Sequence, residues 1–454
     1  MANTQTARRG AEGPRFVTGS LLRHILLMTG AGAVGLMAIF VGDLANIYFL
    51  SRLGDEAIVA AVGYASSILF FATSIGIGLS IAATSLVAPA LGAGRRMRAR
   101  RLATNAHMLA FAVSTVAAVI LWLTIGPLLE LLGAHDRTLD LATGYLKILL
   151  PTLPVLSSAM ASSAVLRSAG DARRAMFVTL FGAVVNTILD LIIIVHFGFG
   201  IEGAAVSSLL ARLTMMLIGF RGVVGVHDLL GRPKIATLMQ DAPQFMNIAA
   251  PAVLTNVAPA IGNAYVTHAI AAYGDAAVAA WAIIARLTPV AFGAIYALSG
   301  AVGPIIGQNY GARAPQRMRD VFTLSLFTMT AFTATAWLIL AILAHAVATL
   351  FHAGDEARAL IVFFCRWLAP LFVFLGALFV ANAVFNTLGR PHYSTLLNWG
   401  RATLGTVPFV LAGGQFYGAP GVLAGNMIGG VAFGLIAIWS AYRLITHLGD
   451  KLKT

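Results

Sequence analysis

The chain has 454 residues, of which 59% are hydrophobic and only 10% are charged. This balance is far from that of a soluble globular domain, so it indicates a polytopic membrane protein. The formal net charge of +13 does not indicate nucleic-acid binding, because the basic residues alternate from loop to loop.

Apolar runs of about 20 residues are long enough to cross a bilayer as helices. The sequence contains twelve such runs, which we number as spans 1 to 12. Their predicted ranges are 24–50, 57–90, 103–129, 139–166, 175–196, 201–220, 247–272, 276–309, 321–350, 359–387, 394–413 and 419–442. The predicted fold is therefore an all-α polytopic membrane protein with 12 transmembrane helices.

Lysine and arginine are concentrated in alternate loops. Of the 30 basic residues, 22 lie on one side and only Arg52, Arg137 and Arg358 lie in the opposite loops. Because basic loops stay in the cytoplasm, we predict a multi-pass protein of the cell inner membrane with both termini cytoplasmic. The N-terminus, with Arg8 and Arg9, lacks the pattern of a cleaved signal peptide, so span 1 is expected to direct insertion.

Short motifs recur at a nearly constant separation. Gly54-Asp55-Glu56-Ala57 recurs as Gly274-Asp275-Ala276-Ala277, and Leu131 to Asp136 recurs as Leu350 to Asp355, at shifts of 220 and 219. A register held through most of each half indicates a duplication. The chain is thus predicted to consist of two six-helix repeats.

The repeats should be parallel, because each has an even number of spans. They are then related by a pseudo-twofold axis along the membrane normal. The predicted domains are an N-terminal six-helix lobe at 1–222, a cytoplasmic linker at 223–244 and a C-terminal six-helix lobe at 245–454.

Two acids lie inside apolar spans, Asp43 in span 1 and Asp190 in span 5. An ionised side chain in hydrocarbon costs at least a few kcal/mol, so such residues usually mark an ion or substrate path. Asn186 in span 5 and Ser208 in span 6 lie at a similar depth, about 10 Å from one membrane boundary. These two can alternatively be hydrogen-bonding contacts between helices. All four belong to the first repeat.

The second repeat lacks these acids. Asp43 corresponds to Asn263 at a shift of 220, and Asp190 corresponds to Phe409 at a shift of 219. Span 8 instead contains Arg286, which either snorkels to the interface or lines the cavity as a counter-charge.

The chain resembles the multidrug and toxic compound extrusion (MATE) family over nearly its whole length. The matching stretches are Ser51-Arg52-Leu53-Gly54-Asp55-Glu56-Ala57, Ala90-Leu91-Gly92-Ala93-Gly94, Leu166-Arg167-Ser168-Ala169-Gly170-Asp171, Asn186-Thr187-Ile188-Leu189-Asp190, Gly203-Ala204-Ala205 and Gly307-Gln308-Asn309-Tyr310-Gly311-Ala312. The resemblance implies two lobes that export amphipathic, often cationic compounds in exchange for H⁺ or Na⁺.

The acids of the first repeat resemble the DinF-like branch of that family. The resemblance implies a cation-coupling site at Asp43, Asn186, Asp190 and Ser208, and a Na⁺ ion would bind at Asp43, Asn186 and Asp190. The expected substrate cavity includes Asp43, Asp190, Tyr64 and Arg286. No cofactor is expected besides H⁺ or Na⁺ as the coupling ion.

Two positions depart from the family pattern. Asn382 in span 10 stands where other branches have an acid, which argues against a cation site in the second repeat. Span 1 has Ala31 where some relatives bend at a proline, although its repeat partner is Pro251.

The expected mechanism is alternating access, in which H⁺ or Na⁺ neutralises Asp43 and Asp190 and expels the substrate. An ATP-driven pump is not expected, because no Gly-x-x-x-x-Gly-Lys motif is present. An enzyme is not expected either, because no His-Glu-x-x-His spacing occurs. The alternative is a lipid-linked precursor flippase of the wider superfamily, whose pyrophosphate would need cations such as Lys147, Arg286, Arg366 and Arg401.

The expected partners are small amphipathic organic substrates and membrane lipids, without nucleic acid. The chain is expected to function as a monomer. Gly421-x-x-x-Gly425-x-x-x-Gly429 in span 12 favours close helix contact, either within one chain or between chains.

Overall fold

The computed structural model describes residues 13–51 and 55–453. The predicted positions of Arg8, Arg9, Arg52 and Gly54 therefore lie outside the described residues. Every regular element within the described part of the chain is a helix. The predicted all-α fold is confirmed.

Sixteen α-helices follow one another along the described chain. They are α1 Leu21–Ser51, α2 Glu56–Gly92, α3 Arg96–Leu123, α4 Ile125–Leu131, α5 Asp136–Leu149, α6 Leu153–Ser168, α7 Ala172–Asp190, α8 Gly200–Phe220, α9 Ile235–Ala271, α10 Asp275–Ala291, α11 Gly293–Gly311, α12 Pro315–Leu350, α13 Asp355–Phe363, α14 Phe372–Thr387, α15 Pro391–Ala402 and α16 Val407–Lys453. Tighter 3₁₀ turns occupy Leu150–Thr152 and Ala369–Leu371, and wider π turns occupy Leu191–His196, Arg221–Val226 and Phe364–Leu368.

These helices account for the twelve predicted spans. Ten helical stretches of the described residues are long and apolar enough to cross a membrane, and the pair α10 and α11, bent by 48°, provides an eleventh. One stretch, Pro391–Leu452, has 62 residues. As a helix it would be about 90 Å long, three times the hydrocarbon thickness, so it contains two spans. The backbone of Gly418, at φ 62° and ψ −145°, separates them.

The duplication is visible in the backbone. Three pairs of residues 219 positions apart have left-handed φ angles just after a helix ends. The pairs are Gly94 with Arg313, Gly133 with His352, and Gly170 with Gly389. Such residues close the last helical turn, so the two repeats stop their helices at matching places. Pro151 and Pro370, also 219 apart, both lie in 3₁₀ turns within a span.

The chain divides into two compact units. Unit 1 contains the residues up to Thr18 together with Val34–Val253, and unit 2 contains Gly19–Ala33 together with the residues from Leu254 onward. One division falls before α1, between Thr18 and Gly19, and the other two fall inside α1 and α9, whereas the predicted lobes end at 222 and begin at 245. Helix α9 also begins within the predicted linker, at Ile235.

Within unit 1, the segment 227–241 is attached to the first three turns of α3. The contacts are Arg96 to the carbonyl of His227, Arg100 Nε to the carbonyl of Leu230 at 2.9 Å, the amide of Gly231 to Thr104 Oγ1 at 2.8 Å, and Arg101 and Asn105 to Asp241 at 2.8 and 2.7 Å. On α3, Arg96, Arg100 and Thr104 are four residues apart, as are Arg101 and Asn105, so these side chains share one face of the helix. The segment between α8 and α9 is therefore a fixed part of unit 1.

Within unit 2, spans 11 and 12 form a close-packed hairpin on either side of Gly418. Gly413 packs on the backbone of Gly421, Gly425 on that of Phe409, and Gly429 on that of Gly405. A methyl group at any of these three contacts would overlap backbone atoms of the opposite segment. The glycine motif of span 12 thus serves contact within one chain.

Candidate functional site

Asp190 is fully buried at the end of α7. Its Oδ2 accepts hydrogen bonds from the side-chain amides of Asn46 and Asn186, both at 2.8 Å. Its Oδ1 is also buried but has no hydrogen-bond partner. Because buried polar atoms are nearly always paired, this open oxygen is a candidate for binding a proton or a cation.

The sequence around Asp190 explains how its partners reach it. Asn186 lies four residues earlier on α7, so the two side chains share a face of the helix. Asn46 comes from α1, one turn after Asp43. Directly after Asp190 the helix widens into the π turn Leu191–His196, a feature that is frequent at functional sites.

Asp43 joins the same cluster but has a different environment. Its side chain is exposed, whereas Asp190 is buried. The two carboxyl groups are close enough to interact electrostatically. The structure therefore brings the predicted pair together, with Asp190 buried and Asp43 exposed.

Ser207 and Ser208 of α8 contribute hydroxyl groups to this cluster. Ser207 lies beside Asp190, and Ser208 lies beside the hydroxyl of Tyr145 on α5. Tyr145 is buried and lies within electrostatic range of both Asp43 and Asp190. Ser208 therefore contacts Tyr145, which in turn lies near the two acids.

Arg212, one turn after Ser208 on α8, places a positive charge near Tyr145. Its Nη1 donates to the carbonyl of Leu149 at 3.1 Å and to Thr152 Oγ1. Both acceptors lie at the 3₁₀ turn around Pro151, where the helical hydrogen-bond pattern of the span is interrupted. The cluster in unit 1 thus combines two carboxyl groups, two amides, hydroxyl groups and one guanidinium.

Two predicted cavity residues lie elsewhere. The hydroxyl of Tyr64 donates to the carbonyl of Gly133 at 3.2 Å, in the loop between α4 and α5. Arg286 lies on α10 in unit 2, and its side chain is exposed. Neither residue is part of the cluster around Asp190.

Unit 2 contains amides and cations where unit 1 contains acids. Asn382 is buried, and its Oδ1 accepts from Asn398 Nδ2 at 3.1 Å. Arg401 lies within electrostatic range of Tyr296. Its acids, in contrast, lie near helix ends, at Asp275, Asp320, Asp355, Glu356 and Asp450.

A second buried acid of unit 1, Asp171, lies just before α7 and is fully paired. Its Oδ2 is bonded to His227 at 2.8 Å and to the side chain of Arg174, and its Oδ1 accepts from the Arg174 amide at 3.1 Å. Burial alone would raise the pKa of Asp171, but these bonds outweigh burial and hold the pKa below its ordinary value.

A model of the MatE family matches residues 32–192 and again residues 251–411, ranges that begin 219 residues apart. The chain belongs to the MatE family. The double match has the same offset as the repeated motifs and the repeated backbone angles, and it confirms the predicted membership of the MATE family and the two repeats.

Known relatives of this MatE protein match it over nearly its full length. The FAD transporter of Shewanella oneidensis is 28% identical over 93% of this chain and 94% of that protein. The multidrug export protein MepA of Staphylococcus aureus is 21% identical over 91% and 92%. The crystal structure of a mutant of the Vibrio cholerae MATE transporter VcmN superposes with a TM-score of 0.88, at 25% identity over 93% and 96%.

The MatE protein contains site residues that sequence reasoning missed. Asn46, Tyr145 and Ser207 are ordinary polar residues of membrane helices, and nothing in their spacing showed that they meet Asp190. Arg212 was recognisable as a charge inside an apolar segment, but its partners depend on the 3₁₀ turn at Pro151.

No group of three or more His, Cys, Asp or Glu side chains in the described part of this MatE protein is arranged to hold a metal ion. A Na⁺ ion would instead rely on carboxyl, amide and hydroxyl oxygens, the donors that hard cations prefer. The open Oδ1 of Asp190, with Asn186 and Ser207 nearby, fits that requirement.

Proposed function

We propose that this MatE transporter is a secondary active exporter of amphipathic or cationic organic compounds, driven by H⁺ or Na⁺ that binds at Asp190. The observation that carries the proposal is the buried Oδ1 of Asp190, which has no hydrogen-bond partner. A buried carboxylate with an open oxygen is unfavourable by several kcal/mol unless a positive charge approaches it. A proton or Na⁺ at Oδ1 removes that cost.

Asp43 strengthens the case for coupled exchange. Its negative charge lies close to Asp190, so the pair attracts positive charge more strongly than either acid alone. Because Asp43 is exposed, it is accessible to a cationic substrate or to the incoming ion. Substrate and coupling ion then compete for the same negative charge, and such competition is what an antiporter requires.

The available driving force is sufficient for export. One proton crossing a potential of 100 mV releases about 2.3 kcal/mol, and one pH unit adds about 1.4. Together these support a gradient of several hundredfold for a neutral substrate at one-to-one exchange.

Branch and location form part of the proposal. The acids of the first repeat favour the DinF-like branch, with the coupling ion bound in unit 1. The 22 basic residues on one side, against three on the other, favour an inner-membrane protein with both termini in the cytoplasm. The proposal includes two six-helix lobes at 1–222 and 245–454, joined by 223–244, and transport by alternating access.

A second candidate substrate is a flavin dinucleotide. The relative named FAD transporter matches 93% of this chain. Unit 2 contains Arg401 near Tyr296 and the exposed Arg286, and guanidinium groups of this kind suit a pyrophosphate. In this case the acids of unit 1 would bind only the coupling ion.

Efflux from inside-out vesicles tests the proposal. A fluorescent cationic dye such as ethidium should accumulate when a pH or Na⁺ gradient is imposed, and an ionophore that collapses the gradient should stop it. The variant Asp190→Asn should reduce accumulation to the level of empty vesicles, because an amide cannot bind a proton or attract a cation as a carboxylate does. Asp140→Asn, which changes an exposed acid on α5, is the matched control and should transport normally.

Other outcomes assign other functions. Transport by Asp190→Asn at the normal rate, with the protein folded in the membrane, would contradict the proposal. Uptake of FAD without uptake of the dye, lost in Asp190→Asn, would assign the dinucleotide as substrate. Movement of a lipid-linked pyrophosphate without either would support the flippase.

A further inference from the structure

Asn46 makes a contact that links two helices at the acid of the site. Its Nδ2 lies 2.8 Å from Oδ2 of Asp190, so α1 is hydrogen-bonded to α7 across 144 residues of sequence. Asn186 donates to the same oxygen at the same distance. No donor lies within hydrogen-bonding distance of Oδ1, because the hydroxyl of the neighbouring Ser207 donates to the carbonyl of Gly203 at 3.0 Å.

This unequal arrangement has a chemical consequence. A carboxyl oxygen accepts about two hydrogen bonds, so the two amides together saturate Oδ2. A proton, or an oxygen-seeking cation, therefore meets its free lone pairs only at Oδ1. After protonation at Oδ1, Oδ2 still accepts both amide hydrogens, so the contact between α1 and α7 persists in both charge states.

Asn46 also lies one turn from Asp43 on the same helix. Helix α1 therefore contains both the exposed acid and the amide that orients the buried acid. A change in the position of α1 would alter the donor set of Asp190 and the distance between the two charges together.

We propose that Asn46 is a positioning residue that orients Asp190 and directs the coupling ion to Oδ1. This inference rests on the proposed function. The competing explanation is that Asn46 only joins two helices, as membrane amides often do.

The test measures how transport depends on the concentration of the coupling ion. Asn46→Leu has nearly the same size but no donor, so the ionised Asp190 loses one of its two hydrogen bonds. If H⁺ is the coupling ion, half-maximal exchange should require roughly tenfold less H⁺, because the neutral form gains about 1.4 kcal/mol over the ionised form. Asn46→Gln, which keeps the amide, should restore most of the original dependence.

Other charged and titratable groups face Asp190 and must stay constant in this experiment. They are Asp43 on α1 and Tyr145 on α5, and Arg212 on α8 lies near Tyr145. Leu44→Ala alters an exposed residue of α1 outside the cluster and is the matched control. If Na⁺ proves to be the coupling ion, the same comparison is made with Na⁺, and the concentration for half-maximal exchange should change in Asn46→Leu but not in the control.

The outcomes separate this inference from the proposed function. An unchanged half-maximal concentration in Asn46→Leu, with or without lower stability, would leave Asn46 as a helix contact and overturn the inference. If Asp190→Asn abolishes transport in the same vesicles, the proposed function nevertheless survives. Should Asn46→Leu fail to fold, Asn46→Ser, which removes the long-reaching amide with less change in polarity, gives the same comparison.

Discussion

The two repeats use the same hairpin in opposite ways. In the first repeat, Asp190 of span 5 meets Ser207 of span 6. At shifts of 219 and 218, these positions correspond to Phe409 and Gly425 in the second repeat, and there Gly425 packs directly on the Phe409 backbone. One hairpin contains a polar cluster, and the other has the closest helix packing that glycine allows.

This difference shows how a duplicated frame can specialise. A polar cluster needs room for side chains and for an ion, so its helices cannot approach as closely as helices packed through glycine. The second hairpin has lost that room and has no acid at the equivalent depth. The hairpin of the first repeat thus contributes the polar cluster, and the hairpin of the second contributes close packing.

Gly429→Ala should have the largest effect on folding. Its methyl group would overlap the carbonyl of Gly405, in the turn between α15 and α16, so the hairpin must open. Overpacking of this kind costs about 1–3 kcal/mol. A clear fall in the melting temperature in detergent, measured by fluorescence-detected size exclusion, is the expected result.

The adjacent glycine provides the control for this change. A methyl group at Gly430 would have no atom within 4 Å, so Gly430→Ala should leave the melting temperature unchanged or raise it slightly. Equal effects of the two substitutions would show that close packing of this hairpin is not what stabilises it.

Tyr145→Phe tests the contribution of the polar cluster in the first repeat. The change removes only the hydroxyl beside Ser208, and the ring remains packed in the core. We expect transport to fall about fivefold, the equivalent of one hydrogen bond of about 1 kcal/mol, with little change in the melting temperature. Tyr417→Phe, at an exposed tyrosine, should transport normally. A loss of stability without a loss of transport would make Tyr145 a packing residue.

Asp171→Asn should have a smaller effect on stability than Gly429→Ala. Asp171 and His227 flank the α7–α8 hairpin and join its two ends. We expect a loss of about 1 kcal/mol, since Arg174 is half exposed and its ion pair is partly screened. The variant and Asp140→Asn are compared with the unaltered protein by thermal melting.

The pH dependence of this effect has a definite sign. Folding lowers the pKa of Asp171, so its contribution is complete above the ordinary carboxyl pKa of about 3.9 and declines as the pH falls below that value. The difference in melting temperature should therefore be present at neutral pH and shrink below about pH 4. A difference that grows at low pH would contradict the assignment.

The spans and the duplication could be predicted because the length of apolar runs and the repeated motifs at helix ends can be recognised within short stretches of the sequence. Asp43 and Asp190 were recognisable for a similar reason, since charges in long apolar runs are rare. Asn46, which lies 144 residues earlier in the chain, makes one of the two hydrogen bonds that saturate Oδ2 of Asp190. The difference between the saturated Oδ2 and the open Oδ1 therefore depends on a distant helix. No local pattern reports such a contact.

Interruptions within helices were also beyond local reasoning. The π turn after Asp190 begins in an unbroken run of isoleucine and valine, which predicts only a regular apolar helix. The predicted linker at 223–244 looked like a loop because it is polar, yet its latter part belongs to α9. Contacts with α3 hold this segment in place, while its basic residues Arg232 and Lys234 are exposed.

Those contacts determine how the segment between the two repeats is held. Because 227–241 is hydrogen-bonded along α3, the segment that connects the repeats is not a flexible linker. Arg101 and Asn105 hold Asp241, so the first turns of α9 belong to unit 1 together with α3. The compact units and the sequence repeats therefore do not coincide, because the start of the second repeat is built into the first unit.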